Sequence, residues 1–220
     1  MELYDRLLQF TLFQGMSHAD LMEVAGHTKF DFQKLATGKR IVKEGDDCRQ
    51  LLFLTHGMIR CETQNDGYAY RVDETVKAPY TLQPERLFGL NQRYTTTFKT
   101  LTPCNFISID KQEVMLLLET QLVFRLNLLN IMATESQRLR HHTWRAAPKS
   151  LRERLVRFFF AHCLYSAGPK TFHILMQQIA DELNDSRLDI SRVLNELQRE
   201  ELLTLHRGRI EIPLLERLLM

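Results

Sequence analysis

Ser186-Arg187-Leu188-Asp189-Ile190-Ser191-Arg192-Val193-Leu194-Asn195-Glu196-Leu197 is the stretch on which the fold turns. A serine with an aspartate three residues later reads as a helix start. The hydroxyl accepts from the third amide and the carboxylate reaches back, as in a capping box. Behind that cap Ile190, Val193, Leu194 and Leu197 share one helical face, leaving Arg187, Leu188, Ser191, Arg192 and Asn195 outward. Upstream, Leu175, Ile179 and Leu183 recur every four residues and predict a shorter helix. Asn184 lies between the two and tolerates the left-handed backbone that a tight turn needs. Downstream of Leu202-Leu203, the run Leu205-His206-Arg207-Gly208-Arg209-Ile210 predicts two strands around a glycine turn with basic tips.

Two helices joined by a short turn can present the N-terminal face of the second to the DNA major groove. Arginine there can donate two hydrogen bonds to guanine O6 and N7. Serine, asparagine and helix N-termini suit phosphate oxygens. The pattern therefore predicts DNA-contacting residues at Ser186, Arg187, Leu188, Ser191, Arg192 and Asn195, with Arg207 and Arg209 on the wing. A helical hairpin with ordinary surface arginines fits the same pattern, so a ligand-sensing module whose C-terminal domain contacts protein stays open as the alternative.

Working back from this stretch, Ser150-Leu151-Arg152-Glu153 is another helix start, with Leu151, Leu155, Phe158 and Phe159 on one face. Pro148 disfavours helix just before it, so the domain boundary is placed here: residues 1–146 and 147–220. From Lys111 to Trp144 there is neither Gly nor Pro. Leu122, Leu126, Leu129 and Ala133 follow a 4-3-4 spacing, the a and d pattern of a paired helix, and the register continues through Ser136, Arg140 and Thr143. A dimer helix is expected over about 121–145. Between Phe30 and Ile109, short β-branched and aromatic runs alternate with turn signals. Ile41-Val42 precedes Glu44-Gly45-Asp46, and Leu51-Leu52-Phe53-Leu54 precedes His56-Gly57. Asn65-Asp66-Gly67 separates Met58–Thr63 from the alternating Tyr68, Tyr70 and Val72. This is a β-sandwich or β-roll texture with a hairpin at Asp66-Gly67.

Composition narrows the function classes. Over 220 residues the net charge is only +2, so whole-chain charge gives no argument for nucleic acid. Residues 147–220 are nearly balanced too, with eleven Lys and Arg against ten Asp and Glu. The richest apolar window, Val114 to Leu129, is broken by Glu119, Gln121, Arg125 and Asn127, so no membrane span is expected. Met1 to Arg6 shows no basic region followed by an apolar run, so no secretory leader is expected. The four cysteines, Cys48, Cys61, Cys104 and Cys163, show no metal-site or disulfide spacing and read as buried thiols of a cytoplasmic protein. No catalytic or P-loop motif is present, so the expectation is a non-enzyme without a metal.

The stretch from Ser186 to Leu197, with Glu200-Glu201-Leu202-Leu203 and Arg207-Gly208-Arg209-Ile210-Glu211-Ile212, resembles the C-terminal domain of the CRP/FNR family of transcription regulators. The N-terminal half resembles that family's cyclic-nucleotide-binding-like β-roll. The matching residues are Leu12-Phe13-x-Gly15-Met16-Ser17, Gly38-x-x-Ile41-x-x-Glu44-Gly45-Asp46, Leu52-Phe53-x-x-x-x-Gly57-x-x-Arg60 and Leu87-Phe88-Gly89. Ser150 to Leu155 resembles the first helix of the family's DNA domain. The resemblance implies an α+β chain: a jelly-roll-like β-roll sensor, a long dimerisation helix and a winged helix–turn–helix. It implies a homodimer on a palindromic double-stranded operator, with RNA polymerase a candidate partner.

Carried over residue by residue, the family's base-reading positions fall on Arg187, Leu188 and Arg192. Leu188 replaces the usual glutamate, so the operator should differ from the usual family site. In the sensor, the family's glutamate after Phe-Gly falls on Leu90, and the phosphate-binding arginine falls on Tyr94, with Arg93 adjacent. Gly89, Leu90, Arg93, Tyr94 and Thr95 are therefore the candidate effector residues, and the resemblance argues against cyclic AMP. Phe53, Tyr68, Tyr70 and Tyr94, if they face inward, suit an apolar ligand instead. The first 47 residues hold no cysteine for an iron–sulfur cluster. His27, His56, His141 and His142 read as surface or core residues rather than haem ligands.

Overall fold

The computed structural model describes residues 3–67, 69–143 and 146–219, with side chains of 139–143 left aside. The chain is α+β and forms two compact units: residues 1–59 with 76–145, and residues 60–75 with 146–220.

The first unit opens with α1 (Leu3–Leu7) and α2 (His18–His27). Ser17 caps α2 in a reciprocal box: its hydroxyl oxygen accepts from the Asp20 amide at 3.2 Å, and its own amide donates to the Asp20 carboxylate at 3.3 Å. The strands follow in chain order as β1 (Phe30–Leu35), β2 (Arg40–Val42), β3 (Gln50–His56), β4 (Met58–Gln64), β5 (Arg71–Lys77), β6 (Tyr80–Leu82), β7 (Thr97–Thr100) and β8 (Cys104–Asp110), with most of β4 and β5 belonging to the second unit. One antiparallel sheet has the order β1-β8-β3-β6, and β2 pairs with β7. The apolar run Leu51-Leu52-Phe53-Leu54 of β3 is buried throughout, as are Phe106, Ile107 and Ile109 of β8, and Phe53 meets Phe10 and Phe13 at ring distances of 4.9 and 5.7 Å. Gly57, at φ +101°, is required where β3 turns into β4: a Cβ there would meet Cys104 Sγ and Pro103 O at 2.6 Å.

Two helices close this unit, α3 (Lys111–Thr120) and α4 (Leu122–Thr143), bent by 114° at Gln121. Helix α4 thus begins where the dimer helix was expected. Phe124 is fully buried against Phe13, and the Asn127 amide donates to Leu12 O at 3.1 Å and Gln14 O at 2.8 Å. Leu122, Leu126 and Leu129 remain about half exposed. The polar end of that register, at Arg140 and Thr143, falls outside the described side chains, as do His141 and His142.

The second unit contains α5 (Leu151–Ala161), β9 (Lys170–His173), α6 (Met176–Leu183), α7 (Arg187–Arg199), β10 (Thr204–His206) and β11 (Arg209–Ile212). Ser150 caps α5 by accepting from the Glu153 amide at 3.1 Å. The Glu153 carboxylate overshoots the cap and takes the Lys149 amide at 2.8 Å, so the expected box is not reciprocal. The core gathers Leu155, Phe158 and Phe159 of α5, Phe172 of β9, Ile179 of α6, Ile190, Leu194 and Leu197 of α7, and Ile210 and Ile212 of β11.

The strands of this unit lie in the order β10-β11-β9-β5-β4. Strand β5 pairs antiparallel with β9, Arg71 opposite His173 and Glu74 opposite Lys170. The sequence reading assigned residues 60–75 to the β-roll. Tyr70 and Val72 instead join the second core, where Tyr70 lies 5.5 Å from the His162 ring and its hydroxyl is 2.9 Å from His162 Nε2. The hairpin turn is wider than an Asp-Gly step: Asn65 Oδ1 accepts from the Ala69 and Tyr70 amides at 2.7 and 3.1 Å. No single helix among the described residues is long and apolar enough to cross a membrane. All four cysteines are buried and unbridged.

Candidate nucleic-acid interface

Helix α6 ends at Asn184, whose φ of 48° supplies the left-handed step of the turn. The turn is braced from α5: Arg154 donates to Leu183 O at 3.0 Å and pairs with Asp185. Asp185 in turn accepts the Ser186 amide at 2.8 Å. Ser186 then caps α7, its oxygen accepting from the Asp189 amide at 3.1 Å. Ile190, Leu194 and Leu197 are completely buried and fix the rotation of α7 about its axis. Arg187, Leu188 and Arg192 are therefore held outward; Leu188 is 80% exposed, an unfavourable setting for leucine in water.

Not every predicted contact stands free on that face. Ser191 and Asn195 are half-buried, and the Asn195 amide turns back to Ser191 O at 2.7 Å and Ser191 Oγ at 3.3 Å. Leu175, counted with Ile179 and Leu183 in the four-residue repeat, is the N-cap of α6 and 56% exposed. The Asp189 carboxylate was expected to reach back to the Ser186 amide. Asp185 already occupies that amide, and Asp189 takes the Ser186 hydroxyl at 2.6 Å instead.

The wing is the β10–β11 hairpin, turning at Gly208 with φ +70°. Arg207 and Arg209 are exposed. Arg209 lies 3.2 Å from Glu211, which His206 also approaches at 3.4 Å. Arg187 and Arg207 take part in no ion pair among the described residues. A cleft of about 420 Å³ lies between the start of α6, the start of α7 and the wing, lined by Leu175, Gln177, Arg187, His206, Arg207 and Gly208. Gln177 and His206 were not singled out in the sequence. No periodicity marks them, and only the closeness of the wing to α6 brings them to this cleft. Two arginines free of carboxylate partners among the described residues, beside a helix N-terminus, make it a cationic cleft suited to DNA.

The candidate effector residues occupy a different kind of setting. Tyr94 is 3% exposed, and its hydroxyl reaches Gln50 O at 3.5 Å. Burial pushes the Tyr94 phenol well above its usual range, with the neighbouring Cys48 adding to the effect. Gln83, itself 5% exposed, donates to Thr95 Oγ1 at 2.7 Å, and its carbonyl accepts the Thr95 amide at 3.0 Å. Arg93 turns away to Gly45 O at 2.7 Å and Asp47 at 3.4 Å. Leu90 is fully exposed and Gly89 has open space around it. Of the aromatic set offered for an apolar ligand, Phe53 is packed by Phe10 and Phe13, Tyr70 belongs to the other unit, and Tyr68 lies outside the described residues.

Two family models match the chain: the cyclic nucleotide-binding domain over residues 32–121 and the Crp-like helix-turn-helix domain over residues 153–220. Among solved structures, the catabolite activator protein of Thermus thermophilus matches with 18% identity and a TM-score of 0.52, covering 96% of each chain. A candidate transcriptional regulator of the Crp/Fnr family from Eubacterium rectale matches with 20% identity and a TM-score of 0.53, over 99% of this chain and 97% of that one. At such identities these two matches speak for the fold. No curated protein matches the chain.

Proposed function

The chain belongs to the CRP/FNR family of DNA-binding transcription regulators, and from that premise we propose that it reads a palindromic operator as a homodimer through α7 and the wing. The observation that carries the reading is the division of α7. Its apolar positions are fully buried, while Arg187, Leu188 and Arg192 stand outward beside a capped N-terminus. Arg187 and Arg192 donate to guanines, and Leu188 packs on a thymine methyl. Ser191, Arg207 and Arg209 hold phosphates, while Ser186, first counted with them, has its amide given to Asp185 and its hydroxyl to Asp189 and serves as the cap, and Asn195 braces the helix. Selection of bound duplexes from a random pool tests this. A two-fold motif with half-sites one helical turn apart is expected; no enriched motif would overturn the reading.

The half-exposed stripe of Leu122, Leu126 and Leu129 on α4 supports a second copy of the chain as partner. Leu129→Glu places a charge in that seam and should convert the dimer to monomer in sedimentation experiments. A dimer that survives the change would place the interface elsewhere.

Cyclic AMP is not the effector in this reading. Its buried phosphate charge would need a cationic or multiply donating partner. Tyr94 offers one hydroxyl, already turned to Gln50, and Arg93 is engaged by Asp47 and Gly45. Calorimetry with cyclic AMP and cyclic GMP should show no binding below roughly 100 µM. A micromolar isotherm would overturn the inference. The protein then works in the cytoplasm without a catalytic step, with RNA polymerase the partner that reads its bound state.

A further inference from the structure

We propose that Asp189 is a specificity-determining residue of the recognition helix, holding the Arg192 guanidinium in the pose that reads one base pair. The proposal rests on the base-reading role given to Arg192 above. A carboxylate three residues after an N-cap ordinarily closes the capping box by accepting the N-cap amide. Here Asp185 accepts the Ser186 amide, which releases the Asp189 carboxylate for other bonds. Its two oxygens divide the work. Oδ2 accepts the Ser186 hydroxyl at 2.6 Å, and Oδ1 lies 3.2 Å from Arg192 Nη1. The acid is thus anchored at the helix start and grips the arginine one turn later, on the face where Leu188 is exposed.

The Asp189 side chain is 41% exposed and that of Arg192 is 70% exposed. A pair so wet contributes little to folding. Its value lies in binding. A free arginine side chain has many rotamers, and freezing one of them opposes association. Asp189 removes part of that cost in advance. It contacts the guanidinium at one nitrogen, Nη1, and leaves the Nε and Nη2 edge of the fork for guanine O6 and N7. Once the groove excludes water, the attraction between the two charges grows. The carboxylate also penalises error. If Arg192 is not seated, Asp189 faces the phosphate-rich surface unneutralised, which disfavours the wrong site.

The test is site selection from a random duplex pool with the full chain, its Asp189→Asn and Arg192→Ala variants, and the double variant. Asparagine keeps the shape and can still accept the Ser186 hydroxyl, but loses the ionic grip. Arg192→Ala should erase the preference at one position of each half-site. Asp189→Asn should lower the preference at that same position by roughly three- to tenfold. The other positions and the thermal midpoint should stay unchanged, and Asp189→Asn should have no further effect on the motif once Arg192 is alanine. The proposal is overturned if Asp189→Asn keeps the full preference, weakens every position alike, or acts equally without Arg192. Those outcomes leave the role of Arg192 standing. An unchanged motif in Arg192→Ala would instead remove that role and this proposal together.

Discussion

Glu74 and Lys170 meet at 2.8 Å with side chains 0% and 1% exposed; Asp189 and Arg192 meet at 3.2 Å in the solvent. Both pairs belong to the second unit, yet their surroundings differ in every respect. The Glu74 carboxylate also accepts the Leu164 and Tyr165 amides at 2.8 and 3.1 Å. Lys170 Nζ also donates to Ala167 O at 2.8 Å and lies 5.6 Å from the Tyr165 ring. Several partners surround each buried charge, so this pair serves to join β5 to β9. The pair on α7 keeps donors in reserve. Burial with satisfied partners marks a charge committed to architecture, and exposure on a rigid face marks one held for a ligand.

The sharpest way to break the comparison is Glu74→Gln. It leaves the Lys170 ammonium buried without its counter-charge, which should destabilise the chain by about 3–5 kcal/mol. Denaturant unfolding of the full chain measures this. Replacing both residues by apolar ones of similar volume removes the unpaired charge but takes the acceptor from the Leu164 and Tyr165 amides, so it should recover only part of the loss. A loss below about 1 kcal/mol for Glu74→Gln would show that water reaches the pair, since exposed pairs are worth no more than that.

Arg192→Ala should behave in the opposite way. On the selected operator it should cost about 1–3 kcal/mol of affinity and relax the preference at one base pair. Unfolding should shift by no more than about 0.5 kcal/mol, as surface substitutions usually do. Gel-shift titration and denaturant melts on the same preparation give both values. Equal losses in stability and affinity would mean that Arg192 belongs with the buried charges.

The difference between the pairs also explains what could be read from the sequence. Helix α7 was legible because its signals are local: a cap at Ser186, an apolar face of Ile190, Leu194 and Leu197, and the arginines opposite. The β5–β9 pairing was not. Alternation at Tyr70 and Val72 marks a strand, but nothing local names Lys170 as the partner of Glu74, and adjacency in sequence pointed to the β-roll. The same limit hid Gln83, a polar residue whose left-handed φ of 36° turns a backbone step in a buried setting beside Thr95. At the reading head the missing information was competition. Asp189 was rightly seen three residues after the cap, but Asp185 took the amide it was expected to hold. Ser191 and Asn195 fell on the outward face by periodicity, and it took the structure to show them bonded to each other.

The smallest effect separates readers from holders within the exposed set itself. Arg207 sits at the wing tip beside Gly208, lines the same cleft as Arg187, and has no ion pair among the described residues. A cation that meets a phosphate oxygen gains no information about the base. Its contribution comes from releasing condensed counterions, which ties it to salt concentration rather than to sequence. Arg207→Ala should therefore weaken the selected operator and a scrambled duplex by the same factor, leaving their ratio unchanged. The slope of log affinity against log salt should become shallower by about 0.9, the value for one phosphate contact on duplex DNA. Arg209 should give a smaller change, because Glu211 at 3.2 Å already offsets part of its charge. Filter-binding titrations at several salt concentrations read both slope and ratio. If Arg207→Ala altered the ratio and left the slope alone, Arg207 would be reading a base, and the wing would have to lie deeper in a groove than a phosphate-holding role allows.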